Sequence, residues 1–278
     1  MTKQLLLIDG NSIVFRAFFA MHNQMDKFTN KDGLHTAAIY GFKLMLDHVL
    51  QNFKPDTALV AFDAGKVTFR TKMYDDYKGG RNKTPNELTE QIPYVRELIK
   101  ESGLHSYELA NYEADDIIGT LAKQADDAGY KTLIVTGDRD LTQLASENTT
   151  VAVTHKGVTD TEHYTPAHVE EKLGITPRQI LDMKALMGDS SDNYPGVTKI
   201  GEKTAIKLVK QFGSVEELYD HIDDLKKSKM KEHLIEDEEI ARQCKTLATI
   251  LRDAPLKIGL DDLQYQGPQT DDLIKFYK

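Results

Sequence analysis

The 278-residue chain has little cysteine: Cys244 is the only one. A lone cysteine excludes an intrachain disulfide and a thiolate metal cluster, and it fits a reducing compartment. Long apolar runs are also missing, so no segment reads as a membrane span. The opening residues, MTKQLLLIDG, are too short and too soon charged for a secretory signal. The expectation is a cytoplasmic protein with no membrane partner. The nine histidines show no ligand spacing, and His155, His163 and His168 read as surface or packing residues. An overall positive charge is lacking too, because 44 acidic against 35 basic residues leave −9. That balance argues against a polyanionic partner until it is resolved along the chain. Residues 66–83 carry six basic side chains (Lys66, Arg70, Lys72, Lys78, Arg81, Lys83) against Asp75 and Asp76, a local +4. Residues 199–210 carry four lysines against Glu202, or +3. Residues 211–278, with ten basic and fifteen acidic residues, read as a solvated acidic tail.

Buried strands that stop at acids are what the chain does contain. Leu5 to Ile8 is an apolar run that ends at Asp9, and Ala58 to Phe62 ends at Asp63. Leu133 to Val135 is a third, ending just before Asp138 and Asp140. Helical periodicity fills the gaps, as at residues 36–53 with Ile39, Phe42, Leu46, Val49 and Phe53 on one face before Lys54-Pro55. Strands alternating with helices imply an α/β fold with a mostly parallel central sheet flanked by helices, whose ligands bind beyond the strands' carboxyl ends. Residues 111–141 (NYEADDIIGTLAKQADDAGYKTLIVTGDRDL) join a helix, closed by Gly129, to the third strand. Glu113, Asp115 and Asp116 crowd its first turn, where acids serve either as caps or as a site. On an ideal helix Asp115 lies roughly 100° from Asp116, so convergence of all three requires the helix to begin there. Clustered carboxylates repel one another, a cost that divalent cations remove, and oxygen ligands without His or Cys suit magnesium or manganese.

Between the second strand and this helix, Phe69, Tyr74 and Tyr77 interleave with the cations of the basic stretch. That pattern suits stacking and phosphate contact with single-stranded nucleic acid, and equally a solvated loop made mobile by Gly79 and Gly80. Thr84-Pro85-Asn86-Glu87 is a capped helix start, with Leu88, Ile92, Val95 and Ile99 on one face and Pro93 expected to kink it. Thr149 to Val153 reads as an edge strand. Thr176-Pro177-Arg178-Gln179 opens another helix, and Asp189 and Asp192 follow it. In YPGVTKIGEKTAIKLVKQFGS, Gly196 and Gly201 bracket a tight turn before a helix whose free amides, with Lys199 and Lys203, can bind phosphate regardless of base sequence.

In their order and spacing, LLLIDGNSIVFRAF, AFDAGKVTFR, YDDYKGGR, YEADDIIGTLA, VTGDRDLTQL and LMGDSSDNYPGVTKIGEKTA make this sequence resemble the bacterial 5′ nuclease family. That family comprises flap endonucleases and the 5′-to-3′ exonuclease domain of DNA polymerase I. The resemblance implies a PIN-like α/β catalytic domain over residues 1–176, with a helical arch at about 66–100. It also implies a helical DNA-binding lobe over 177–278 with a helix-three-turn-helix at about 180–213. By position, Asp9, Asp63, Glu113, Asp115 and Asp116 match the carboxylates of one metal site, and Asp138, Asp140, Asp189 and Asp192 those of a second. Tyr77, Lys78 and Arg81 match the family's arch residues near the scissile phosphate, and Arg16 a further basic position near the active site, all four expected to be catalytic. Arg70, Lys72 and Lys83 of the arch, and Gly196, Lys199, Gly201, Lys203 and Thr204 of the turn, are expected to meet DNA. Two or more Mg2+ ions, replaceable by Mn2+, and a K+ in the helix-three-turn-helix are implied as cofactors. So is a monomer acting on 5′ flaps or single-strand to duplex junctions, including RNA primers on DNA, in primer removal and repair. Lys199 departs from the glycine of many relatives. Because the sequence runs to Lys278 without a following polymerase, a stand-alone flap endonuclease is expected. A related RNA nuclease and a catalytically silent DNA-structure binder are the rival readings.

Overall fold

The computed structural model describes residues 2–21, 27–155, 157, 159–268 and 270–277. Leu5, Leu6, Leu7 and Ile8 are fully buried because strand β1 (Gln4–Asp9) lies inside a six-stranded sheet. The sheet order is β3-β2-β1-β4-β5-β6, with β2 at Thr57–Phe62, β3 at His105–Glu108, β4 at Lys131–Thr136, β5 at Thr149–Thr154 and β6 at Thr161–Tyr164. All pairings are parallel except β5 with β6. Alternate residues therefore feed two cores. Leu5, Leu7, Leu59, Ile134 and Val151 pack under helix α6 (Ala114–Asp127). Leu6, Ile8, Val60 and Val135 pack under α1 (Gly10–Met21) and α2 (Ala37–Phe53). The mostly parallel sheet flanked by helices is the predicted architecture.

The strand order turns back on itself between β1 and β4, and ligands of open parallel sheets bind at such a point. Asp9 ends β1, Asp63 follows β2 and Asp138 follows β4, so all three acids face that crevice. Gly10 makes the sharp exit from β1 possible, since a Cβ there would lie 2.6 Å from the Phe62 ring.

Some local expectations change. Residues 84–101 form two helices, α4 (Asn86–Thr89) and α5 (Ile92–Glu101), after α3 (Phe69–Met73). Pro93 sits in the first turn of α5, so it starts a helix and does not kink one. Gln91, fully buried at the break, accepts hydrogen bonds from the Ala38 and Ile39 amides at 2.8 and 3.4 Å and so caps α2. The Thr149–Thr154 strand is internal, because β6 covers it.

Helices α7 (Pro166–Leu173), α8 (Ile180–Met187), α9 (Glu202–Phe212), α10 (Val215–Asp220), α11 (Lys229–Glu236) and α12 (Glu238–Ala248) follow. The chain then returns to the sheet before α13 (Thr270–Phe276). The Ala254 amide donates to Thr120 Oγ1 at 3.0 Å, and Gln264 bridges to Thr57. The stretch 211–278 is thus not a solvated tail: Val215, Leu218, Leu234, Leu247 and Leu263 are buried in the packed body. Gly119 admits residues 249–265, since its Cβ would meet the Leu251 carbonyl at 2.5 Å. No helix among the described residues is long and apolar enough to cross a membrane.

Candidate active site

Asp9, buried at the end of β1, accepts hydrogen bonds from the Ser12 amide at 3.1 Å and from Thr136 Oγ1 at 2.8 Å. Asp63 ties the end of β2 to helices α1 and α6. Its Oδ1 accepts from the Ala114 amide at 2.8 Å and its Oδ2 from Asn11 Nδ2 at 3.3 Å.

Helix α6 begins where the acids need it to. Glu113 is its N-cap in extended conformation (φ −94°, ψ 162°), and Asp115 and Asp116, about 100° apart as successive helical residues, leave the first turn in different directions. The Asp116 side chain turns into the protein, accepting from the Glu113 amide at 3.1 Å and the Leu251 amide at 3.0 Å. Its carboxylate takes both Arg70 guanidinium nitrogens at 2.8 Å. Asp115 faces the crevice, where burial first, then the charges of Asp9 and Asp138, lift its pKa well above the usual carboxylate range.

The second group lies across the crevice. Asp138 caps the 3-10 turn Arg139–Leu144 by accepting from the Asp140 amide at 2.9 Å. Asp189 Oδ1 accepts from the amide and hydroxyl of Ser191 at 2.7 and 2.6 Å. Asp189 is held in place by a glycine pair: Gly188 (φ +72°) and Gly196 (φ +66°) touch so closely that a Cβ on Gly196 would sit 2.2 Å from the Gly188 nitrogen. Gly196 is buried against Gly188, where it shapes the turn.

Side-chain cations occupy the space between the acids. Lys78 Nζ lies 2.9 Å from Glu113, and Arg81 Nη2 lies 2.6 Å from Asp192. Tyr77, only 4% exposed, donates towards both Glu113 (3.3 Å) and Asp192 (3.1 Å). Lys184 bridges Asp140 and Asp189. Among the described residues no three acidic side chains close on a common point; the ammonium and guanidinium groups stand between them.

The cations do not saturate the site. Burial, opposed by the Ser12 and Thr136 hydrogen bonds and reinforced by Asp63 and Asp138, pushes Asp9 up to about 7. Burial and the neighbouring Asp138 push Asp140 to about 7 despite Lys184. Asp189 is buried too, but its bonds from Lys184 and Ser191 outweigh that and lower its pKa. Lys78 and Lys184 are both raised, because the surrounding carboxylates overcome the cost of burying an ammonium. A cluster in this state draws in further positive charge.

Several predicted residues are placed differently. Arg70 is 2% exposed, locked to Asp116, to the Leu247 and Thr249 carbonyls at 3.0 and 2.6 Å, and over the Phe69 ring at 4.5 Å. It is an internal strut with no surface for DNA, and Asp116 is its partner, set behind the other acids. Of the interleaved aromatics only Tyr77 is buried, joining Tyr194, Cys244 and Leu247 in a small core against which the half-buried Tyr74 packs, while Phe69 is half-buried. Lys72, exposed, binds Asn111 Oδ1 at 2.8 Å, and Lys83 is exposed. Lys199 and Lys203 are exposed beside Gly201, the N-cap of α9, with Thr204 in its first turn. Lys199 keeps a left-handed backbone (φ +60°) although it is not glycine. Arg16 donates to the His155 carbonyl at 3.2 Å and lines a recess of about 270 Å³ with Arg139 and His155. A larger cavity of about 550 Å³, between Leu144, Pro177, Leu181 and Ile250, is lined by none of the nine acids.

Sequence reasoning missed Lys184, Arg139 and Thr136. Lys184 had a signal, since it stands one helical turn before the Gly188-Asp189 exit and so on the side from which the acids emerge. Thr136 had none, because its contact with Asp9 joins residues 127 positions apart.

Taken together, the molecule is an acid-edged parallel α/β protein with a cationic segment held over its acids. Residues 4–174 match the family model described as 5′-3′ exonuclease, N-terminal resolvase-like domain, and residues 175–271 that described as 5′-3′ exonuclease, C-terminal SAM fold. The chain belongs to the 5′-3′ exonuclease family. It is 59% identical over 275 residues to a DNA polymerase I of Streptococcus pneumoniae, covering 99% of this chain and 31% of the relative. It is 54% identical over 276 residues to the DNA polymerase I of Bacillus subtilis, again 99% and 31%. The chain therefore spans about a third of the length of these relatives. Its fold is that of the T5 5′-exonuclease bound to zinc (TM-score 0.77, 22% identity, 99% of this chain and 97% of that one). The catalytic core of Rad2 in complex with DNA substrate is similar as well (TM-score 0.63, 16% identity, 100% and 86%).

Proposed function

We propose that the chain is a structure-specific 5′ nuclease, both flap endonuclease and 5′-to-3′ exonuclease, that hydrolyses DNA phosphodiesters near single-strand to duplex junctions. The observation that carries this reading is the double row of carboxylates at the sheet's carboxyl edge with Lys78 and Arg81 suspended over it, in a chain matched almost throughout by the exonuclease family.

The donor set fits hard divalent ions. It is all oxygen, Asp9, Asp115 and Asp140 within it are raised in pKa, and it already attracts ammonium groups. Asp9, Asp63, Glu113 and Asp115, with Asp116 behind them, would hold one ion; Asp138, Asp140, Asp189 and Asp192 would hold a second. When bound, Mg2+ or Mn2+ would supply an activated water and neutralise charge on the phosphate. The chain's own residues do the rest. Thr136 and Ser12 hold the Asp9 carboxylate in one orientation. Lys78 and Arg81 bring positive charge to the reacting phosphate, and Tyr77 fixes their segment against the acids. Lys199, Lys203 and the α9 N-terminus suit the phosphates of duplex DNA, and a K+ in the helix-three-turn-helix at about 180–213 would add to that grip. The exposed Lys72 and Lys83 lie along the path of the 5′ strand. Residues 1–176 would act as the catalytic domain and 177–278 as the DNA-binding lobe, in a monomer located on the nucleoid and removing RNA primers.

The test is Asp115→Asn assayed on a 5′-labelled flap with Mg2+ and with chelator. The expected result is loss of cleavage by roughly 10²-fold or more with DNA binding retained. Near-normal cleavage by the variant would overturn the assignment, and flap binding without cleavage by the unaltered protein would favour a silent DNA binder.

A further inference from the structure

Residues 74–81, which carry Tyr77, Lys78 and Arg81, form no helix or strand. They are wound as overlapping turns: Tyr77 N donates to the Tyr74 carbonyl at 3.0 Å, Gly79 N to Asp76 at 2.9 Å and Arg81 N to Lys78 at 3.2 Å. Lys78 has φ +56°, a left-handed conformation that a lysine keeps only when its surroundings impose it. Two contacts impose it, and both come from the loop after Asp189. The Lys78 amide donates to the Asp192 carbonyl at 2.8 Å. The Asn193 side chain donates through Nδ2 to the Asp76 carbonyl at 2.8 Å, which thereby accepts two hydrogen bonds. Asn193 is itself left-handed (φ +59°), a conformation asparagine tolerates, and that conformation belongs to the geometry that aims its carboxamide at Asp76.

We infer that Asn193 is a positioning residue: its carboxamide staples the Asp76 peptide to the loop that leads into the α9 turn and so sets where the Lys78 ammonium stands over the acids. The inference rests on the nuclease reading above. It is also the part of the staple that can be removed without touching an acid, because the Lys78–Asp192 contact is backbone to backbone. Among the described residues the Asn193 side chain makes no hydrogen bond to the acids or to the α9 N-terminus, so its effect passes through Asp76 to the next two residues in the chain.

Asn193→Gly removes the carboxamide and leaves the left-handed backbone unstrained, so it separates the bond from the fold. On a flap substrate, kcat is expected to fall roughly 3- to 10-fold, the effect of one net hydrogen bond, with KM and duplex affinity unchanged. Added to Lys78→Ala, it should cost nothing more, because both act through the same ammonium. Acetylation of Lys78 by acetic anhydride, read by mass spectrometry against Lys72, should rise several-fold in Asn193→Gly. That readout needs no catalysis, so it decides the staple even if the unaltered protein fails to cleave. Unchanged Lys78 labelling, an unchanged kcat in a cleaving protein, a matching loss of duplex affinity, or losses that multiply with Lys78→Ala would each overturn the inference.

Discussion

Replacing Arg70 by methionine tests the strut directly, because methionine keeps most of the side chain's length and removes only its charge and donors. In the native protein the guanidinium gives two 2.8 Å bonds to Asp116, one of 3.0 Å to Leu247 O and one of 2.6 Å to Thr249 O. Asp116 is 0% exposed, so without Arg70 its charge is left uncompensated in the interior. Breaking one side of such a pair costs about 3–5 kcal/mol. At about 2 °C per kcal/mol for a chain of this size, the midpoint of thermal unfolding should fall by about 6–10 °C. Adding Asp116→Asn should return part of that, since asparagine removes the buried charge and keeps an oxygen for one of the two amides, Glu113 or Leu251, which donate to separate oxygens of Asp116. Thermal melts of the wild type, both single variants and the double variant, in excess metal, close the cycle. If Arg70→Met melts within 2 °C of wild type and instead weakens DNA binding, Arg70 is a surface contact and the argument fails.

Two further predictions concern the acids and the returning segment. Asp9 and Asp140 stand at about 7 in the fold, against about 3.9 in an unfolded chain. Between those values the folded form holds protons that the unfolded form has lost. Their contribution is therefore complete below about pH 4 and lost as pH rises through 7. The metal-free protein should lose about 2–3 kcal/mol per group between pH 5 and 8 and Mg2+ should flatten the slope; melts that are flat without metal over this range would contradict the crowding. Gly119→Ala places a methyl 2.5 Å from the Leu251 carbonyl and should destabilise by about 1–3 kcal/mol. A urea midpoint equal to wild type would mean that residues 249–254 do not seat on α6 in solution.

Much of the scaffold was legible because it is local. The runs Leu5 to Ile8, Ala58 to Phe62 and Leu133 to Val135 declare buried strands, and the acid that ends each declares the sheet's reactive edge. Helix α2 stops at Lys54, before Pro55, as its sequence requires. Short elements escaped: β3 (HSYE) and β6 (TEHY) are mostly polar edge strands without an apolar pattern.

The sequence by itself determined the parallel sheet, the positions of Asp9, Asp63 and Asp138 on it, and the family, since periodicity and motif order are written in neighbouring residues. Only the tertiary structure decided which charges meet. Arg70 and Lys78 stand in one basic stretch and look alike in sequence. The fold buries Arg70 against Asp116 and holds Lys78 over Glu113. It also decided how Asp115 turns to the crevice while Asp116 turns away: Glu113 caps α6 in extended conformation and Arg70 waits behind. These contacts join residues from 35 to 46 positions apart, and the physical reason is that electrostatic partnership depends on distance and burial, which chain order does not specify.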